Sequence, residues 1–182
     1  MRHEASPATN DFFLTIPVLC AVAGAIACKA VNATPVPLKD VSEHPFLCGL
    51  THEHLQILAD YVMRVHFEAG DIIFHKGDPA NRFYLVMAGR VAVEDESRDR
   101  EHQVVVQTIG PGDVLGWSWL FPPYYFEFAA RALEPTEMMF FYGTRLRDLC
   151  EDNRDLGYEL LKRVAKVVIQ RLSSVEKQFL RG

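Results

Sequence analysis

The residues best suited to recognising a ligand are crowded into one segment. Trp117, Trp119, Phe121, Tyr124, Tyr125, Phe126 and Phe128 place seven aromatic rings within twelve residues. Rings at this density line a pocket for a flat apolar ligand, form a patch for a partner protein, or fill a space and make a dry core. Gly116 and Ser118 share the segment, Pro122-Pro123 stiffens it, and Arg131 is the first cation after it. Other chemistry is not assembled. His52 and His54 stand two apart on an expected helix and point to different faces, whereas a shared metal needs i, i+4. His66 and His75 fall on expected neighbouring strands with no third ligand. The four cysteines show no CxxC spacing, and Cys48 and Cys150 follow apolar residues, which predicts buried thiols. There is no nucleophile elbow, P-loop or dinucleotide fingerprint. The expectation is no enzyme, no metal site and no resident cofactor, with a small-molecule ligand as what the aromatic segment could hold.

The elements that would position this segment are mostly short strands. Thr51 can cap a helix on which Leu55, Leu58, Ala59 and Val62 share a face. The apolar period then changes to two. Met63–Phe67, Asp71–His75, Arg82–Met87, Arg90–Glu94, Gln103–Ile109, Val114–Gly116, Phe128–Leu133 and Glu137–Tyr142 are rich in Val, Ile, Phe and Tyr and are bounded by turn signals. Eight strands at this spacing predict a mainly β domain with flanking helices, an antiparallel barrel or a jelly roll. The charged run Glu94–Glu101 reads as a solvated hairpin tip. From about residue 144 the pattern is helical, with Thr144 or Asp152 as candidate caps. Leu161, Val164, Val168, Leu172, Val175 and Phe179 form a coiled-coil-like seam, and Leu156, Leu160 and Val167 a second stripe. One stripe can dock on the barrel while the other meets a partner helix.

The turn glycines keep a register with the aromatics. Phe67-x-x-Gly70-Asp71-x-Ile73 precedes Gly77-Asp78, then come Phe83-Tyr84-x-Val86-x-x-Gly89-x-Val91 and Gly110-x-Gly112-Asp113-x-x-Gly116. Over about residues 44–180 this register resembles the cyclic nucleotide-binding domain superfamily, with its effector domains of the cAMP receptor protein type. The resemblance implies an eight-stranded jelly roll, a short leading helix, and a last helix that often dimerises or moves on ligand binding.

The ligand-binding segment departs from that family. Its phosphate-binding cassette reads roughly Phe-Gly-Glu-x-Ala-Leu, a short helix, then Pro-Arg-x-Ala. The resemblance implies that the Glu would accept from a ribose hydroxyl and the Arg would pair with the cyclic phosphate. Here Gly116 matches, Trp117 stands at the Glu position, and Phe126 or Tyr125 stands at the Arg position. Arg131 lies on the following strand. Gly116-Trp-Ser-Trp-Leu-x-Pro-Pro-Tyr124 is similar to a segment of some stand-alone bacterial members, in which Arg often follows the Tyr; here Tyr125 does. Losing both partners removes roughly 3–6 kcal/mol, about 10² to 10⁴ in affinity. The candidate ligand residues are therefore Gly116, Trp117, Ser118, Trp119, Tyr124, Tyr125, Phe126 and Arg131, in a degenerate cassette.

Charge and the two ends of the chain complete the reading. The net charge is −5 over 182 residues, but 41–159 carry ten Lys/Arg against twenty Asp/Glu and 160–182 carry six against one. The acidic body argues against coating nucleic acid, the basic tail reads as the solvated face of a helix, and no helix-turn-helix follows, so sequence-specific DNA binding by this chain is not expected. Residues 1–40 read as an apolar segment and linker, and 41–182 as the domain. Residues 12–28 carry no charge and compete as a membrane anchor, an export signal or a leader without a role. An anchor would place the domain on the cytoplasmic side of the membrane. The function expected is a regulatory or sensor domain with weak or no cAMP or cGMP binding. It would pass ligand or partner state through its C-terminal helix to a dimer mate. The alternatives are a receptor with rearranged contacts through Arg131, and a protein-interaction module at the membrane that binds no ligand.

Overall fold

The uninterrupted apolar run Met138-Met139-Phe140-Phe141 explains the layering of the molecule. A strand turns alternate side chains to opposite faces, so a run without polar alternation needs cover on both. The computed structural model, which describes residues 34–96 and 103–179, supplies that cover as three layers. In chain order the elements are β1 (Thr34–Pro35), α1 (Leu38–Glu43), α2 (His52–Ala59), β2 (Val62–Phe67), β3 (Ile72–Phe74), β4 (Arg82–Ala88), β5 (Val91–Glu96) and β6 (Gln103–Ile109). They continue with β7 (Val114–Leu115), a short 3₁₀ helix (Trp117–Leu120), β8 (Ala129–Ala132), β9 (Thr136–Tyr142), α3 (Gly143–Asp152) and α4 (Arg154–Phe179). One antiparallel sheet has the order β1-β2-β9-β4-β7 and the other β3-β8-β5-β6. Met138 and Phe140 face the second sheet, in a core with Tyr84, Val86, Val91 and Val93. Met139 and Phe141 face the helices, in a core with Phe83, Leu85, Leu146, Leu156 and Leu160.

All eight expected strands are present within a residue or two of their expected ends. The architecture is the expected jelly roll, formed as two facing sheets that do not close into a barrel. Further corrections are local. Thr34-Pro35, read as linker, pairs with Met63 and Arg64 as an edge strand, where a missing N–H costs nothing. Val36 and Val41 then enter the helix-side core, so the fold begins before residue 41. Thr51 Oγ1 caps α2 by accepting from the His54 N–H at 3.2 Å, as expected. For α4 the cap is neither Thr144 nor Asp152: Asn153 Oδ1 accepts from the Leu156 N–H at 3.0 Å. Cys48 is exposed rather than buried, while Cys150 is half-buried and its thiol is pushed up to about 11 by desolvation. Glu94 is not part of a solvated tip but is fully buried on β5; residues 97–102 lie outside the described residues. Among the described residues no helix is long and apolar enough to cross a membrane, and residues 12–28 lie outside them.

Gly89 ends β4 with φ near 87°, and a Cβ there would stand 2.5 Å from Thr136 Oγ1 and 2.6 Å from Pro135 O. Any side chain would force β4 and β9 apart, so the register glycine is a packing requirement as well as a turn.

His44 joins the leading helices to the sheet. Its Nε2 meets Val86 O at 3.2 Å, and its Nδ1 accepts from the Phe46 N–H at 3.2 Å. Both contacts are satisfied together only by a neutral ring that donates from Nε2. Burial lowers its pKa from 6.5, opposed by the Val86 bond and by Asp113. The unfolded chain therefore binds this proton more readily than the folded one. The associated stability is complete above about pH 6.5 and is lost as pH falls toward the lowered folded value. The thermal midpoint should fall on acidification from pH 6.5 to 5, and less steeply in His44→Gln; identical slopes for the two proteins would contradict this.

Candidate ligand-binding cassette

β7 pairs with β4 and delivers the chain to Gly116, which has φ near 80°. A Cβ there would lie 2.7 Å from Arg82 O and 3.2 Å from the Phe126 ring, so glycine lets the segment pass close over the β4 backbone and the Phe126 ring. The 3₁₀ helix then sends its two indoles toward the helix layer. Trp119 is fully buried with its ring 5.8 Å from Phe83, and its Nε1 has no partner. Trp117 is half-buried and meets Phe121 edge-on at 6.3 Å. Ser118 is half-buried, and its carbonyl accepts from the Phe121 N–H.

A turn through the cis Pro122-Pro123 peptide brings Tyr124 to φ 62°. Arg147 of α3 fixes this turn from outside. Its Nη1 donates to Trp119 O at 2.7 Å, and its guanidinium lies 4.4 Å from the centre of the Tyr124 ring. Residues 124–126 next run antiparallel to 77–80. Ala80 N–H donates to Tyr124 O at 2.7 Å, Phe126 N–H to Asp78 O at 2.9 Å, and Gly77 N–H to Phe126 O at 2.8 Å. This backbone pairing turns Tyr125 out to solvent, 51% exposed, and Phe126 inward, 3% exposed. Phe126 stacks on Phe74 with ring centres 3.7 Å apart and planes 16° apart, between the two sheets.

Arg131 takes the opposite direction. Its strand neighbour Ala130 belongs to the inter-sheet core, so Arg131 stands on the outer face of its sheet, between Ile72 of β3 and Ala92 of β5. Its Nε donates to Glu94 Oε2 at 3.2 Å and its Nη2 to Glu94 Oε1. The Glu94 carboxylate is 1% exposed. The structure thus divides the expected site residues. Trp119 and Phe126 enter two different cores, Tyr124 and Tyr125 lie on the surface turn, and Arg131 faces away from the space between the sheets. His66 and His75 take separate carboxylates, Glu68 at 3.3 Å and Glu96 at 2.9 Å.

The C-terminal seam is also divided. Val164 is fully buried against the sheet with Leu156 and Leu160, Val168 is half-buried, and Leu161 and Leu172 are exposed beside Tyr158 and Ile169. Val164 therefore belongs to the docking stripe instead of the outward seam. The side chains of Val175 and Phe179 lie outside the described residues.

This geometry has close counterparts. The family model of the cyclic nucleotide-binding domain matches residues 64–153. A crystal structure from Geobacter metallireducens, named for cyclic nucleotide binding, is 30% identical with a TM-score of 0.68, over 75% of this chain and 98% of that one. This chain belongs to the cyclic nucleotide-binding domain family. A cAMP-dependent protein kinase regulatory subunit of Dictyostelium discoideum is 38% identical over 61 residues, 32% of this chain and 19% of that protein. A CRP-like cAMP-activated global transcriptional regulator of Mycobacterium tuberculosis is 24% identical over 119 residues, 65% of this chain and 52% of its own length. The chain thus spans between a fifth and about half of the length of these two relatives, each of which is named as a regulator.

Two residues that shape the cassette's surroundings escaped sequence reasoning. Glu94 follows three apolar strand residues, and that continuous run, rather than the charges after it, is the only sequence signal of its burial. Arg147 carries no sequence signal, since it reaches the cassette only through the fold. The Glu94–Arg131 pair makes a definite prediction. Arg131→Met strands a buried carboxylate and should cost about 3 kcal/mol in urea denaturation, whereas Arg131→Met with Glu94→Leu should recover most of that. A single variant as stable as the native chain would refute the pairing.

Proposed function

We propose that this domain is a regulatory, non-catalytic module whose cassette holds no cyclic nucleotide, and whose state passes outward through α4. One observation carries the reading. Of the two residues at the position where the resemblance implies a phosphate-binding arginine, Phe126 is a core residue stacked on Phe74 and Tyr125 is an exposed, uncharged ring. Neither ring supplies a positive charge, and Phe126 occupies the interior. Trp117 likewise offers no carboxylate for a ribose hydroxyl. Receptor chemistry through Arg131 finds no support, because its guanidinium is committed to Glu94 on the far side of the sheet. The named relatives are regulators, which supports a regulatory role over a catalytic one.

The helix is suited to transmission by its two stripes. Leu156, Leu160 and Val164 bind it to the sheet, while Tyr158, Leu161, Ile169 and Leu172 face solvent. A second copy meeting this outer stripe would read any shift of α4. The test is calorimetric titration of the native chain with cAMP and with cGMP, joined to sedimentation velocity of native and Leu172→Glu proteins. The reading predicts no low-micromolar binding of either nucleotide, a native dimer, and a monomeric variant. Low-micromolar cAMP binding would overturn the cassette reading, and a native monomer would overturn the dimer.

A further inference from the structure

α4 also bounds a cleft that lies away from the cassette. It opens between the helix, the turn joining β6 to β7, and the loop after α1, with a volume of about 340 Å³, within the range of small-molecule sites. Arg163, Lys166 and Arg171 line it from α4, Asp113 lines it from the turn, and Phe46 and Val167 give it apolar wall. Among the lining residues three cations face one carboxylate, a surplus of two positive charges; Glu159, one turn before Arg163, is paired with Lys162.

The hydrogen bonds sharpen that imbalance. Asp113 Oδ2 already accepts from the Gly110 N–H at 2.9 Å, and among the described residues no carboxylate comes within ion-pair distance of the three cations. Arg163 Nη1 donates to the carbonyls of Phe46 and Cys48 at 2.8 and 2.9 Å, and its buried Nε has no partner. Arg171 donates Nη2 to Val114 O, and burial lowers its pKa. Lys166 is exposed at the rim. Neutral carbonyls compensate a buried guanidinium only in part, so both arginines keep donors and charge for an anion. Guanidinium forks match phosphate oxygens, and a doubly charged group matches the surplus. The cleft is larger than a bare phosphate needs, and its apolar wall suits an organic substituent.

We propose that this cleft binds a small organic phosphate monoester. Arg163, Lys166 and Arg171 hold the dianionic group, and Phe46 and Val167 face the organic part. A ligand here bridges α4 and the β6–β7 turn, so occupancy ties the helix to the sheets. The proposal is independent of whether the cassette binds a cyclic nucleotide.

Phenyl phosphate is the probe, titrated by calorimetry and thermal shift at constant ionic strength against inorganic phosphate and sodium chloride. The expected result is saturable binding and stabilisation by phenyl phosphate, tighter than by inorganic phosphate. Lys166→Gln, a rim substitution that leaves the fold intact, should weaken binding at least tenfold, as should Arg163→Gln. The surface control Lys76→Gln should leave it unchanged. No saturable binding, or a response equal to that of sodium chloride, would overturn the proposal. So would native affinity in both Lys166→Gln and Arg163→Gln. Equal affinity for inorganic phosphate would overturn the organic-ester assignment.

Discussion

The stack of Phe126 on Phe74 is the contact on which the cassette depends. It lies between the two sheets, among residues of β2, β3, β4, β5, β8 and β9. Burying a phenylalanine fully contributes about 1.5–3 kcal/mol, with more from the ring pair itself. That contact closes the inter-sheet space and fixes where the chain leaves the cassette for β8. The neighbouring pairing of 124–126 with 77–80 holds the ring in place through three backbone hydrogen bonds. A nucleotide in the same space would have to displace core, not water.

Charge is arranged around this interior, not within it. Arg131 and Glu94 satisfy each other on the outer face of the sheet, and Arg147 pins the Tyr124 turn through a carbonyl and a ring. The fixed cations nearest the cassette are thus spent on structure. The cations with capacity to spare stand on α4, at the cleft beside Asp113. The domain therefore keeps the family's frame while its apolar and ionic resources have moved. Trp119 and Phe126 serve the cores while Phe121, Tyr124, Tyr125 and Phe128 stay exposed, and the long helix carries a second exposed apolar stripe and the cations of the cleft.

The strands were legible because their signal is local. Period-two alternation and turn glycines located eight of the nine, and Thr51 marked the start of α2. The ninth, Thr34-Pro35, was hidden because proline reads as linker wherever an edge strand cannot be foreseen. The continuous apolar run in β9 could equally have lined a closed barrel or the middle of three layers. Only the packing of α3 and α4 on one sheet decides between them. At the site, sequence identified the missing cassette charges and the aromatic replacement, but not the destinations of the rings. Trp119 and Phe126 are seven residues apart and enter different cores because the 3₁₀ helix packs Trp119 toward the helices while the pairing of 124–126 with 77–80 turns Phe126 between the sheets. Val164 and Leu161 fit one seam on a helical net, and burial by the sheet separates them. Glu94 looked solvated because it opens a charged run; its burial beside Arg131 is decided by the pairing of β5 with β8, which the sequence does not show.

The central claim is that Phe126 is core and not pocket wall, and the stability of Phe126→Ala reads this most directly. Urea denaturation should show a loss of about 3–5 kcal/mol relative to the native chain, the cost of emptying a filled interior. A loss below about 1 kcal/mol would contradict the account, because a ring lining an open, solvated pocket can be removed at little cost.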